Sequence, residues 1–328
     1  MSDANNLILL AGATGYIGRK VLQCLCLQGY SIVCIGRNIE SLKKVEMFKT
    51  TNVIFYYVAS DFNLENKFFK EKGKEFSAII SCLGSRSGSA EESWSIDYEA
   101  NKNLLVFAQK YQIKKFVFLS AICLQKPKLE FQFAKLSFEK LLIKSGLNYS
   151  IIRPTAFFKS LAGQFDRLKK SKAFILFDSG EKTCCKPISA TDLANFICDC
   201  LRFSKYERKI LPVGGPGPAL TPRQQGALLF KVIGKKEKYL YVPSRIFRIL
   251  RFLLVPASVF SKNIKNYLEF LNIGYYYATE SMVVWNQETN KYTPENTPEY
   301  GKETLEDFYQ ALEQRGSKGE IVSKGRLF

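Results

Sequence analysis

No histidine occurs anywhere in the 328 residues. That absence removes imidazole general bases, histidine-based triads and every histidine-containing metal site. The nine cysteines (24, 26, 34, 82, 123, 184, 185, 198 and 200) include no CxxC pair. An iron–sulphur cluster needs several thiolates at such spacing, so neither a cluster nor a metal site is expected. An odd thiol count with no secretion signal reads as reduced cysteines in a cytoplasm-like compartment. No apolar run reaches the roughly 18 residues needed to span a bilayer. The first apolar run begins by Leu7, which leaves no room for a targeting peptide if Met1 is the start. A bacterial cytoplasm is therefore the expected location, with a trimmed plastid protein as the alternative. Low-complexity tracts and internal repeats are missing too, so the chain reads as globular throughout.

What is present in excess is positive charge: 48 Lys and Arg against 30 Asp and Glu give a net +18. Such a surface attracts anions, whether nucleic acid, an acidic small molecule or an anionic membrane. The basic residues are spread along the chain and no zinc-finger or RNP-type signature accompanies them, so nucleic acid is not an expected partner. One stretch, SRIFRILRFLLVPASVFSKNIK (244–265), sets Arg245, Arg248, Arg251 and Lys262 among apolar residues. Its reading stays open between a core helix with solvated arginines, a helix roofing an apolar pocket and a peripheral membrane contact.

The opening LILLAGATGYIGRKVLQCLCLQGY predicts a buried strand, a glycine turn and a helix with Ile17, Val21, Leu22 and Leu25 at helical spacing. Further strands are predicted in SIVCIGR, NVIFYYVASD, SAIISCLG, KKFVFLSAI and NYSIIRP, at intervals that leave room for helices. Strands alternating with helices imply an α/β fold: a Rossmann-type, doubly wound parallel sheet. Residues 1–155 are expected to form this domain and 156–328 a smaller, mostly helical substrate-side region, with 208–215 returning to the sheet. A helix is expected in FQFAKLSFEKLLIKSG, stopped by Gly146, and another in KPISATDLANFICDCL, capped near Ser189 or Thr191.

Gly12, Gly15 and Gly18 lie between predicted strand and helix, spaced GxxGxxG as in short-chain dehydrogenases. Glycines there let backbone approach a dinucleotide's pyrophosphate, whose charge meets amide N–H groups and the helix dipole. Thr14, Tyr16 and Ile17 are assigned to the same site. The second strand ends at Gly36-Arg37, where an NAD-selective fold places Asp or Glu. An arginine suits a 2′-phosphate, with Arg19 in support, and points to NADPH. Asp61, Leu83, Gly84 and Pro154 follow or close other strands and are assigned to the cofactor by fold position. Ser120 closes the fifth strand and Lys135 lies on the next helix, where short-chain dehydrogenases carry a Ser and a Tyr-xxx-Lys pair. Phe131 stands in the tyrosine's place and has no proton to give, which argues against ordinary alcohol oxidation. Lys135 can still hold positive charge beside the reacting centre, consistent with hydride transfer to a carbon–carbon double bond.

These residues carry a resemblance. With SWSIDYEANKN (93–103), LSAICLQKPKLEFQFAKLSFE (119–139), SIIRPTAFFKSLAGQ (150–164), CKPISATDLANFICDC (185–200), LPVGGPGPALTPRQQGALLF (211–230) and YYATESMVVW (276–285), the chain resembles the NADPH-dependent divinyl chlorophyllide 8-vinyl-reductases, atypical short-chain dehydrogenases of chlorophyll synthesis. The resemblance covers most of the chain, and Phe131 agrees with it. It implies that the 8-vinyl group of a divinyl chlorophyllide or protochlorophyllide becomes ethyl, the hydride passing to the vinyl terminus. The proton would arrive from Lys135, a tyrosine or water. It gives the charge and apolarity a use, since a tetrapyrrole is flat, apolar and carries a carboxylate. Phe157 and Lys159, just past the sixth strand, are the expected substrate contacts, with Tyr275, Tyr276 and Tyr277 weaker candidates better suited to core packing. The alternative is a non-catalytic NADP(H)-binding regulator like the NmrA-type sensors, suggested by the missing tyrosine and histidines. Oligomeric state is not legible.

Overall fold

The computed structural model describes residues 7–37, 39–45, 48, 52–59, 61–258 and 261–315. Ser60 in the third strand stretch, and Val259, Phe260 and the side chain of Lys262 in the basic stretch, lie outside them.

Short runs of β-branched and aromatic residues between glycine or polar punctuation become the strands. They are β1 (Leu7–Ala11), β2 (Ser31–Gly36), β3 (Val53–Tyr57), β4 (Phe76–Ser81), β5 (Lys115–Leu119), β6 (Asn148–Pro154), β7 (Phe174–Phe177), β8 (Lys209–Val213) and β9 (Tyr239–Val242). Seven of them form one sheet in the order β3-β2-β1-β4-β5-β6-β8. The pairings from β3 through β6 are parallel, with register such as Leu9 opposite Val33 and Ile79, and Phe116 opposite Tyr149. Near-continuous burial of β1, β2, β4 and β5 is what helices on both faces require, while β3, at the edge, is half exposed. The expected doubly wound α/β sheet is therefore the observed one, and Lys209–Val213 is its seventh strand, beside β6.

The longer helices are α1 (Tyr16–Leu27), α2 (Asn101–Lys110), α3 (Glu130–Lys144), α4 (Ala190–Arg202), α5 (Pro222–Val232), α6 (Arg245–Ser258), α7 (Lys262–Thr279) and α8 (Leu305–Arg315). α3 stops before Gly146, whose φ of 78° ends a helix at no steric cost. α4 starts on Ser189, whose hydroxyl accepts from the Asp192 amide at 2.9 Å.

By compactness the chain divides into Met1–Arg153 with Leu193–Leu211, and Pro154–Asp192 with Pro212–Phe328. The first unit buries Leu9, Val33, Ile79, Phe69, Phe116, Phe118, Phe138 and Ile151 in one continuous core. In the second, β7 and β9 pair in parallel. There Phe158, Phe165, Leu168, Leu229, Tyr309 and Leu312 form one cluster, and Phe247, Leu268, Leu271 and Ala278 form another. The Asp192 carboxylate fixes the approach to α8 by accepting from the Lys302 and Glu303 amides at 3.0 and 2.9 Å.

Candidate active site

In an open α/β sheet, ligands bind beyond the carboxyl ends of the strands where the order reverses, here between β1 and β4. The loop after β1 is built for close approach. Gly12 has φ 84°, and a Cβ there would lie 2.7 Å from the Cys82 carbonyl carbon. At Gly18 a Cβ would sit 2.1 Å from the Gly12 oxygen, so this glycine lets α1 pack against its own entry turn. An added Cβ at Gly15 would meet only that Gly12 oxygen within 4 Å, at 3.2 Å, and otherwise project into open space. No side chain caps the start of α1 and its first turn holds no acid, which leaves the positive helix end for an anion. The loop therefore fits a dinucleotide pyrophosphate. Ile17 is buried, while Thr14 and Tyr16 are half-buried.

Arg37 directly follows β2 and is exposed. Its guanidinium acts on Glu92. Burial pushes that carboxyl up, but the Ser87 hydroxyl and amide, the Arg86 amide and Arg37 together hold it below its ordinary value. A 2′-phosphate at Arg37 would share the arginine with this acid. Asp61, exposed in the turn after β3, accepts from the Asn63 amide at 3.3 Å, and its carbonyl accepts from the Asn103 side chain at 2.7 Å. Pro154 is buried at the end of β6.

Lys135 is no surface lysine. Its side chain is 9% exposed, and the ammonium meets Asp97 Oδ1 at 3.1 Å, with Asp97 wholly buried. It also donates to the carbonyls of Leu83 and Leu119, at 3.1 and 3.3 Å, and lies over the Phe118 ring, 5.0 Å from its centroid. An ammonium has three protons, so these acceptors account for all of them. The structure thus brings Lys135 together with Leu83, and Asp97 with the Ser85 amide at 3.3 Å, with the exposed Gly84 between Leu83 and Ser85 in the chain. Phe131, one turn earlier on α3, is half-buried and brings no hydroxyl.

Ser120 is turned inward. Its hydroxyl donates to Glu139 Oε1 at 2.5 Å, and Glu139, nearly fully buried, is paired with Arg153, whose Nε lies 3.1 Å from the same oxygen. Beneath β4, the Ser81 hydroxyl donates to Asn101 Oδ1 at 2.5 Å, and the Asn101 amide group donates to the carbonyls of Ile96 and Asp97. Phe157 and Lys159 belong to the second unit. Phe157 pairs with Ile188 in an isolated bridge and Lys159 lies on the one-turn helix Phe158–Leu161. Tyr276 is buried, and Tyr275 packs on the Phe247 cluster.

Asp97, Asn101, Glu139 and Arg153 were not singled out from sequence. Asp97 lies in the run Ser93–Ala100, where Ser95 and Glu99 are polar too, so no local pattern marks it. That run is π-helical in the structure, a geometry often found at functional sites. Among the described residues no group of three His, Cys, Asp or Glu side chains is placed to hold a metal ion.

Residues 12–203 match a family model described as NAD(P)H-binding. The fold is shared with the NADPH-dependent quinone oxidoreductase of Escherichia coli, solved with NADPH, at a TM-score of 0.65 and 16% identity over 93% of this chain and 99% of that one. Sheet order, glycine loop and family match define the class: an NAD(P)H-binding Rossmann protein. Within that class, the chain is 42% identical to the chloroplastic divinyl chlorophyllide a 8-vinyl-reductase of Arabidopsis thaliana, over 97% of this chain and 79% of that protein. It is 41% identical to the corresponding protein of Cucumis sativus, over 98% and 79%. The chain belongs to the divinyl chlorophyllide a 8-vinyl-reductase family.

Proposed function

We propose that the chain is an oxidoreductase of chlorophyll biosynthesis that reduces the 8-vinyl group of a divinyl chlorophyllide, or its protochlorophyllide precursor, to ethyl with NADPH. The observation that carries this is the 42% identity to a reductase of that name along 97% of the chain. The chloroplast named for the plant relatives favours the plastid alternative over a bacterial cytoplasm.

When bound, NADPH supplies a hydride, and a proton completes the addition across the vinyl double bond. The loop Gly12–Gly18 takes the pyrophosphate on backbone and helix end, with Thr14, Tyr16 and Ile17 along it. Arg37 takes the 2′-phosphate. Asp61 shapes the adenine side, and Leu83, Gly84, Ser120 and Pro154 line the remaining length. Lys135 supplies a desolvated positive charge whose position is set by Asp97. To touch cofactor or substrate it exchanges one of its three acceptors, and the Leu119 carbonyl, at 3.3 Å the longest, is the one it gives up. Ser120 is oriented by Glu139 and Arg153 and has no free role as an acid. Phe157 and Lys159 are the proposed contacts of the macrocycle and its carboxylate.

Purified protein incubated with NADPH and divinyl protochlorophyllide or chlorophyllide, followed by chromatography, is expected to yield the monovinyl pigment. No loss of the vinyl form, with or without oxygen, would sink the proposal, and cofactor binding without turnover would favour the regulator. Arg37→Ala should raise the KM for NADPH about tenfold or more, the size of a lost charge-assisted contact, and leave NADH unaffected.

A further inference from the structure

Helix α6 divides its surface three ways. Phe247, Leu250 and Leu254 face inward onto Leu268, Leu271, Tyr275 and Ala278 of α7. On the outward side, at 3.6 residues per turn, Arg245, Arg248 and Arg251 recur every third position as one stripe. Ile249 and Leu253 lie beside that stripe, and Phe252 and Val255 fall within its arc, between the arginines. Phe252 is 79% exposed, Leu253 64% and Ile249 54%. The three arginines are exposed as well, and among the described residues none has an acidic partner.

We propose that α6 docks the protein on an anionic lipid surface, with Ile249, Phe252 and Leu253 entering the boundary between headgroups and acyl chains and the arginine stripe lying on lipid phosphates. Exposed apolar side chains set beside and among arginines, on a helix with no acid, suit a helix that lies in a membrane interface. The 14 residues of α6 make about 21 Å of helix, too short for a hydrocarbon core of about 30 Å, and no helix among the described residues is long and apolar enough to cross a membrane. The helix therefore lies on the bilayer. A second copy is a poor occupant, because a two-fold contact would set one arginine stripe against another. The chain's own C-terminal residues 316–328 are poor as well, since they carry Lys318, Lys324 and Arg326 against Glu320 alone. The net charge of +18 steers the whole chain toward an anionic surface.

The test is flotation of the full chain with vesicles of phosphatidylcholine, alone or mixed with phosphatidylglycerol. The protein should float with the anionic vesicles, stay behind with the neutral ones, and come off as salt is raised. Phe252→Glu with Leu253→Glu, at sites exposed enough to leave the fold intact by circular dichroism, should reduce binding at least tenfold. Each of Arg245, Arg248 and Arg251 replaced by Gln should weaken it about fivefold. Failure of the wild-type chain to float with anionic vesicles overturns the proposal without reference to any variant. Binding that survives Phe252→Glu with Leu253→Glu overturns it too, as does light scattering that shows a dimer abolished by the same substitutions.

Discussion

Lys135 and Asp97 form a buried ion pair at the carboxyl ends of β4 and β5, and such a pair is weak evidence of stabilisation by itself. Removing one partner leaves an uncompensated charge in a place water does not reach. Lys135→Ala and Asp97→Ala should therefore each lower stability by about 3–5 kcal/mol, read from urea midpoints. Replacing both, Asp97→Leu with Lys135→Met, should recover most of that loss, because an apolar pair of similar volume needs no compensation. Vinyl reduction should nonetheless be absent in the double variant. A doubly substituted protein that turns over at the wild-type rate would show that the pair serves the fold alone. Of the two, Lys135 was legible from its spacing after Phe131, whereas Asp97 was not. A buried acid is tolerated through a cation far along the chain, and local pattern carries no record of that pairing.

Among the elements, α6 is held at its start by Asp178 in the turn after β7. The Ser244 amide donates to Asp178 Oδ1 at 3.0 Å and the Ser244 hydroxyl to Oδ2 at 2.8 Å, with Lys182 at 3.1 Å. The Ser244 amide above all, then its hydroxyl and Lys182, hold this carboxyl below its ordinary value of 3.8 against the burial that pushes it up. A depressed carboxyl contributes stability that is fully present above the ordinary value and is lost as pH falls through the depressed one. Amide hydrogen exchange at Ser244–Phe247 should thus stay slow down to about pH 4 and speed up below it, once corrected for the intrinsic pH dependence. Asp178→Asn should flatten that response, and an unchanged acid profile would rule the anchor out. Periodicity exposed the strands and α3 well, because continuous apolar runs and Gly146 are local signals. It did not reveal the π-helical turn Ser93–Ala100, which depends on what the segment packs against rather than on its own repeat.

For the molecule as a whole, composition told more about chemistry excluded than chemistry performed. The absence of histidine and of CxxC argued against histidine-containing metal sites and iron–sulphur clusters, while the +18 charge left its partner open until the family was in view. The cysteines make the reading of a reduced protein testable. All nine are free, and Cys34, Cys123, Cys185, Cys198 and Cys200 are buried. Burial pushes the Cys123 thiol up to about 11, Cys185 and Cys200 up to about 12, and Cys34 higher still. The hydrogen bond with Cys24 raises Cys198 further, and Cys24 is lowered in turn. A raised thiol is protonated at neutral pH, and only the thiolate attacks, so these groups lack both access and reactivity. Alkylation at about pH 8 followed by mass spectrometry should label the native chain first at the partly exposed Cys26, and more slowly at Cys184 and Cys82, which are partly exposed too but whose thiols burial raises, Cys82 to about 12. In denaturant all nine should react, in a single phase if the fold opens as one cooperative unit. Fast native labelling at Cys123 or Cys185 would contradict the packing described for them. A missing thiol in denaturant would mean that a pair had oxidised, with Cys24 and Cys198, which share a hydrogen bond, the pair to check first.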